Sequence, residues 1–375
     1  MPPQFPFAGS ADWSLAKYLM TSGLSKGKID EYLKTEWTKQ HTPSFNTADE
    51  LYNRIESLPG GPSWKAVEIT LPEAPNEPQT LYYRDPVECL QFLAGNPALR
   101  GHMTFEAYET FTDAGMKEQV YSEIMTGRIC AELQRLLPPG VTLHPAIFGS
   151  DATHTTNFSG DGKMHPIYIS SGLIDAVIRN QPLRRAYMLV AYVPVCKFAK
   201  TEFPTAQQRT SMPGRLQARL FHKCLSIVFI TLKSAGRVPI SGTDCYGQKR
   251  LEMIIPVLYI ADKEEQNLVV CLGKNCCPQC DATYDNLGDN TCPHCRTGQS
   301  ILDKIRSIRT AHPHADTWEF IQRSLEVGLS GVEHPFWEDM PHLDICRIMS
   351  NDVLHGLHKA FKDHTFTWVT NMVGK

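Results

Sequence analysis

Two Cys-x-x-Cys pairs carry the most specific chemistry in the sequence. Cys277-Pro278-Gln279-Cys280 and Cys292-Pro293-His294-Cys295 are separated by eleven residues. Tetrahedral zinc takes four soft ligands, and each pair offers two thiolates from one tight turn. The loop between them, Asp281 to Thr291, is polar and contains Gly288, so it can fold back. The remaining cysteines are scattered, which argues against a disulfide framework. A structural Zn²⁺ held by Cys277, Cys280, Cys292 and Cys295 is therefore expected. His312 and His314 could replace a cysteine, but they flank Pro313 in what reads as a surface loop, and four cysteines already complete a site.

Acids at the ends of apolar runs are the second signal. Asp151 follows Ile147-Phe148-Gly149-Ser150, and Asp262 follows Tyr259-Ile260-Ala261. A carboxylate at the end of a buried strand is held rigidly, and two or three of them can bind two divalent metals for phosphoryl transfer. Plainer readings stand beside this one. Asp151 could cap the next turn, and Asp262 could be a helix N-cap with Glu265 completing a capping box. Asp244, in Gly242-Thr243-Asp244-Cys245-Tyr246-Gly247, also follows a short strand, but the flanking glycines favour a turn. Near the C-terminal end, Asp352, His355 and Lys359 share one helical face. Asp and His at that spacing could bind a metal, or Asp352 is simply the acid that a helix dipole favours at an N-terminus.

The elements around these residues predict an α/β protein. Helices are expected at 11–20, 29–37 and 47–58, with Ser10 as the first N-cap and Pro59-Gly60-Gly61-Pro62 as the stop. Two short strands, Lys65 to Leu71 and Thr80 to Arg84, flank a Pro-rich turn, and a long helix is expected from Met116 to Leu137. Then apolar strand-like runs appear at 143–150, 166–170 and 187–195, a helix at 214–235, and a further run at 251–261. The helix has Leu216, Leu220, Phe221, Cys224, Leu225 and Val228 on one face. Strand, strand, strand, helix, strand, with acids after the first and last strands, is the order of an RNase H-like core. The expected organisation is an N-terminal mainly helical accessory region (1–140), an RNase H-like mixed-sheet catalytic core (141–270), a zinc-binding insertion (271–300) and a helical segment (301–375) in which the core is incomplete.

Bulk properties exclude some classes. With 375 residues, 42% hydrophobic and 21% charged, the chain reads as an ordinary globular protein. A net charge of −3 and a pI near 6.5 advertise no nucleic-acid surface, so any such surface must be local. No apolar run reaches membrane-spanning length, and no membrane partner is expected. Met1-Pro2-Pro3-Gln4-Phe5-Pro6 lacks the segments of a secretory signal, and twelve cysteines then point to a reducing compartment. A nuclear protein is expected, otherwise a cytoplasmic one, although Arg184-Arg185 and Lys249-Arg250 are too short for a nuclear signal.

A resemblance joins these signals. Ser150-Asp151-Ala152-Thr153-His154-Thr155-Thr156-Asn157-Phe158-Ser159-Gly160 resembles the SDKTHLTNFSG block of Plavaka-type transposases, fungal cut-and-paste elements related to the CACTA and Kyakuja–Dileera–Zisupton groups. Phe7 to Trp13 is similar to the family's N-terminal PF.S..DW, Tyr83-Arg84-Asp85-Pro86 to YRDP, and His165 to Ile169 to WPVYL. Tyr259 to Gln266 is similar to YVADYPEQ, Cys277 to Cys280 to CPKC, Pro335-Phe336-Trp337 to FW, and Asp352 to Lys359 to DLLHQLHKG. The resemblance implies a DDE/D carboxylate site on an RNase H-like fold that holds two Mg²⁺ or Mn²⁺ ions and cuts and joins DNA at transposon ends, with a homo-oligomer compatible with that task. Carried over by position, Asp151 is the first acid and Asp262 the second, with Asp244, on the family's DG, as the fallback. Asp352 is the candidate third acid within this chain, the other option being a glutamate beyond Lys375. The sequence departs from the family at Ala152 for lysine, at Lys263-Glu264 for Tyr-Pro, and at Cys245 for glycine. These departures leave a second expectation, a catalytically inactive or domesticated zinc-containing module that binds DNA or protein.

Overall fold

The computed structural model describes residues 5–58, 60–154, 162–282, 286 and 293–374. The chain divides into two compact units, Met1–Ser63 and Trp64–Lys375. The first holds α1 (Ser10–Thr21), α2 (Lys26–Leu33), α3 (Glu36–Gln40) and α4 (Ala48–Glu56). They close around Phe7, Ala16, Leu19, Ile29, Leu33, Phe45 and Leu51. Side-chain oxygens of Ser25, Thr35 and Thr47 cap α2, α3 and α4, each satisfying a backbone N–H that the helix leaves free. Ser10, expected as a cap, is the first helical residue of α1 instead.

The second unit is built on one mixed sheet. Its strands are β1 (Lys65–Ile69), β2 (Gln79–Tyr83), β5 (Thr142–Ser150), β7 (Lys163–Ser171), β8 (Tyr187–Val193), β9 (Ile240–Thr243) and β10 (Lys249–Ile260). The short β3 (Thr110–Phe111) and β4 (Gln119–Val120) form a separate hairpin, and β6 (Thr153–His154) pairs with β7 off the main path. The order is β1-β2-β8-β7-β5-β10-β9. All neighbouring pairs are antiparallel except β5 and β10, which are parallel. Helices α5 (Pro86–Ala94), α6 (Arg128–Leu136), α7 (Ala176–Arg179), α8 (Ala206–Val228), α9 (Ile230–Ala235), α10 (Lys263–Val269), α11 (Gly298–Ala311) and α12 (Thr317–Glu326) accompany it, and α13 (Thr367–Val373) buries none of its residues. No helix among the described residues is long and apolar enough to cross a membrane.

Two expectations are corrected here. Residues 65–83 do not join an N-terminal helical region, because β2 pairs with the edge of β8 through Tyr82 and Tyr83. The helix expected from Met116 is confined to Arg128–Leu136. Met116 takes a left-handed φ of 52°, and the Thr126 hydroxyl accepts from Ser122 and Glu123 N–H, turning the chain just before the helix.

The predicted face of α8 is the one that packs. Leu216, Leu220, Phe221, Cys224, Leu225 and Val228 are buried against Phe148, Ile167, Ile169, Val190 and Ile254 on one side of the sheet. On the other side Met125, Cys130 and Leu133 meet Leu143, Met253, Ile255 and Val257. Along β10 the two sides alternate until a bulge between Pro256 and Leu258. Strict alternation would set Tyr259 beside Val257, yet Tyr259 belongs to the α8 side. One extra residue has reversed the facing of everything that follows.

Candidate functional site

The bulge decides which acids meet. Beyond it, Leu258 pairs with Ile147, Tyr259 with Phe148 and Ile260 with Gly149. Extended two residues past its last pair, this register would set Asp262 opposite Asp151, just beyond the ends of adjacent parallel strands whose axes lie about 4.8 Å apart. Without the extra residue, Ala261 would stand there.

Asp151 is exposed, and among the described residues its carboxylate has no protein partner. Asp262 is half-buried and caps α10, with Oδ1 accepting from Glu265 N–H at 2.7 Å. Of the plainer reading of Asp262 the N-cap is present, but its capping box does not form. The Glu265 side chain turns inward instead, where Oε1 accepts from the Ser150 hydroxyl and from His165 Nε2 at 2.6 Å. The Ser150 hydroxyl also meets the Tyr259 hydroxyl at 2.9 Å. Ser150, His165, Tyr259 and Glu265 are all buried.

Asp352 reaches the same edge from elsewhere in the chain. Residues 348–350 run along β10 on the side away from β5. Tyr259 N–H donates to Ile348 O at 2.8 Å, Ser350 N–H donates to Tyr259 O at 2.9 Å, and the Tyr259–Met349 bridge is parallel. Gln266 Nε2 clips this segment by donating to Ser350 O at 2.7 Å as well as to Ala261 O at 2.8 Å. Asp352 Oδ2 then accepts from Lys263 N–H at 3.0 Å, next to Asp262 in the chain. Its Oδ1 accepts from His355 N–H at 3.0 Å, and His355 Nδ1 lies 2.9 Å from Oδ2. Desolvation pushes the Asp352 carboxyl up, but the N–H donors of His355 and Lys263 outweigh it and hold it below its ordinary value. Lys359, expected on the same face, pairs with Asp363 instead.

The first turn of α10 thus touches two of the acids and the chain neighbour of the third. Asp262 caps it, Glu265 holds the residue before Asp151, and Gln266 holds the segment that carries Asp352. Among the described residues, no three His, Cys, Asp or Glu side chains are gathered closely enough to hold one ion. The acids line an edge rather than closing into a cluster.

Asp244 is not part of this edge. It lies in the β9–β10 turn at the far end of the twelve-residue β10. There Oδ1 accepts from Tyr246 and Gln248 N–H, both at 2.9 Å, and Oδ2 from Arg250 Nε at 2.8 Å. It is the turn residue that the flanking glycines favoured.

The cysteine region packs beside Asp352. Cys280 and Cys295 are bridged as neighbouring backbone, Asp281 N–H donates to His294 O at 3.0 Å, and Arg296 N–H to Gln279 O at 2.9 Å. Arg296 Nε also donates to Cys277 O at 2.9 Å and Cys280 O at 3.0 Å. Cys292 lies outside the described residues. Gln279 Nε2 donates to Asn351 Oδ1 at 3.1 Å, so the first pair's turn touches the segment that delivers Asp352. Lys263, Gln266, Cys277, Pro278, Asp352 and His355 are among the residues lining a groove of about 350 Å³.

The sequence singled out the acids but not their supports. Ser150, Glu265 and Gln266 stand inside the resembling blocks, and their position beside the acids was the available signal. His165 and Tyr259 each open a resembling block and carried the same signal. A family model described as Plavaka transposase matches residues 45–369. No curated protein matches the chain. The chain belongs to the Plavaka transposase family.

Proposed function

We propose that this member of the Plavaka transposase family cuts and joins DNA strands at the edge formed by Asp151, Asp262 and Asp352, with Mg²⁺ or Mn²⁺ as resident ions and transposon-end DNA as substrate. The observation that carries the reading is the bulged register, Ile260 on Gly149, which supports Asp262 standing opposite Asp151 when it is extended two residues further. The strand order supports it. β8, β7 and β5 are antiparallel neighbours, β10 is parallel to β5, and residues 348–350 lie parallel to β10. That order supports the reading of an RNase H-like core.

The donor set suits hard divalent cations, which take carboxylate oxygens. Mg²⁺ is commonly held by one or two carboxylates plus water and substrate phosphate, so an edge of three acids suffices for two ions. Bound there, the ions would neutralise phosphate charge and acidify a water for attack on phosphorus. The protein's part is presentation. Asp151 has both oxygens open among the described residues, Asp262 commits Oδ1 to its helix cap, and Asp352 is anchored through Lys263 N–H. The exposed Lys263 side chain stands next to these acids and is suited to a DNA phosphate.

Cys277, Cys280, Cys292 and Cys295 are proposed as a structural Zn²⁺ site. Thiolate donors at this spacing fit zinc, and the Cys280–Cys295 bridge supports the pairing. Its role would be to staple the insertion that touches Asn351.

The test is Mn²⁺- or Mg²⁺-dependent nicking of DNA carrying element ends, by the protein and by Asp151→Ala. Loss of nicking in the variant is expected. Equal nicking by both removes Asp151 from the chemistry. No nicking by either, with DNA still bound, favours the inactive binding module.

A further inference from the structure

We infer that Glu265 is a positioning residue that sets the separation of Asp151 and Asp262, acting from the buried layer directly beneath them. The inference rests on the carboxylate-site reading above. Its basis is connectivity. Glu265 sits on the turn that Asp262 caps, and the Asp262 carboxylate accepts Glu265's own N–H at 2.7 Å. The Glu265 side chain accepts from Ser150, the chain neighbour of Asp151. The path from one acid to the other is therefore Asp262, Glu265, Ser150, Asp151, with a single hydrogen bond at each through-space step. His165 from β7 donates to the same Glu265 oxygen, and its ring stacks on Phe221 of α8 at 4.9 Å between centroids. Tyr259, placed on this side of the sheet by the bulge, closes the network on Ser150.

Helix packing alone does not account for this arrangement. A Glu at that helical position ordinarily reaches back to the N-cap N–H in water. Here it is 8% exposed, and its carboxylate is spent on two donors from two other strands. Burying a carboxylate is costly unless it is hydrogen-bonded, and these bonds tie the first turn of α10, which directly follows β10, to β5 and β7. Removing partners of this kind in metal sites typically costs about 10- to 100-fold in metal affinity.

The experiment measures Mn²⁺ binding to the full chain by the loss of the free Mn²⁺ resonance, with folding followed by circular dichroism. Asp151→Ala serves as the reference for loss of the site. Glu265→Ala is expected to weaken Mn²⁺ binding about tenfold or more. Glu265→Gln keeps an acceptor oxygen and is expected to recover most of that loss. Ser150→Ala, which removes only the hydroxyl, is expected to weaken binding about threefold to tenfold in a folded protein, and decides the matter should Glu265→Ala fail to fold. Wild-type Mn²⁺ affinity in folded Glu265→Ala, or in Ser150→Ala, overturns the inference while the carboxylate site stands. Wild-type affinity in Asp151→Ala overturns the site itself.

Discussion

The two ends of β10 carry the same kind of residue to opposite effect. At its N-terminal end, the oxygens of Asp244 take Tyr246 N–H, Gln248 N–H and Arg250. Nearby Glu252 takes His144 Nδ1 at 2.9 Å and Gln91 Nε2 at 3.2 Å, and His144 passes on to Ser171. Gly242 lies so close that a Cβ there would sit 2.4 Å from a Glu252 oxygen. No room remains for an ion. At the C-terminal end, Asp151 is exposed without a protein partner among the described residues, and Asp262 commits one oxygen. An acid whose lone pairs the protein has filled is part of the fold, and one left open is available for chemistry.

This contrast can be broken most sharply by exchanging the losses. Asp262→Ala should abolish nicking, by about 10³-fold or more, since several kcal/mol of transition-state stabilisation are at stake. Its melting temperature should move by only a few degrees, as about 1 kcal/mol of helix cap is lost. Asp244→Ala should do the reverse. Breaking a buried, multiply bonded ion pair should cost about 2–4 kcal/mol in chemical denaturation, while nicking per folded molecule stays within about twofold, inside the usual context scatter. Large activity loss in folded Asp244→Ala would return it to the site.

A smaller effect is expected from the cysteine region. Cys280→Ser should remove zinc, read by metal analysis, and free the Gln279–Asn351 contact. Nicking should fall about tenfold through Asp352, the scale expected of an outer support. Unchanged nicking in a zinc-free chain would separate the cysteine region from the acids.

The mildest perturbation is pH. Desolvation raises Asp244 and Glu252, but the Gln248 N–H and Arg250 for the one, and His144 for the other, prevail and hold both below their ordinary values of 3.8 and 4.5. A depressed carboxylate stabilises the fold above its unfolded pKa, and that contribution fades as pH falls through the lower folded value. The melting temperature should therefore drop below about pH 4, less steeply in Asp244→Ala. An identical slope would mean that Asp244 contributes nothing to acid stability.

Much of the arrangement was open to reading along the chain. The apolar runs that became β5, β7, β8 and β10, and the packed face of α8, follow from alternation and helical spacing. Other quoted blocks proved structural. Asp85 of the Tyr-Arg-Asp-Pro block caps α5 through Val87 and Glu88 N–H, and Trp337 donates its indole N–H to Val269 O at 2.7 Å in the core. What escaped was pairing across distance. The join of β2 to β8 and the path of residues 348–350 beside β10 leave no mark on local periodicity.

The same division runs through the site. Local chemistry was enough to mark strands, caps, cysteine pairs and acids after apolar runs, because side-chain direction repeats every two residues in a strand and about every 3.6 in a helix. What supports the acids from beneath depended on partners a hundred or more positions away, as Ser150 and His165 are from Glu265, whereas the bonds that fill Asp244 are local. It depended also on one bulged residue, Val257, that turned the end of β10 over. Those contacts form when the chain closes on itself, since a hydrogen bond between strands is specified by register and not by the neighbours of either partner.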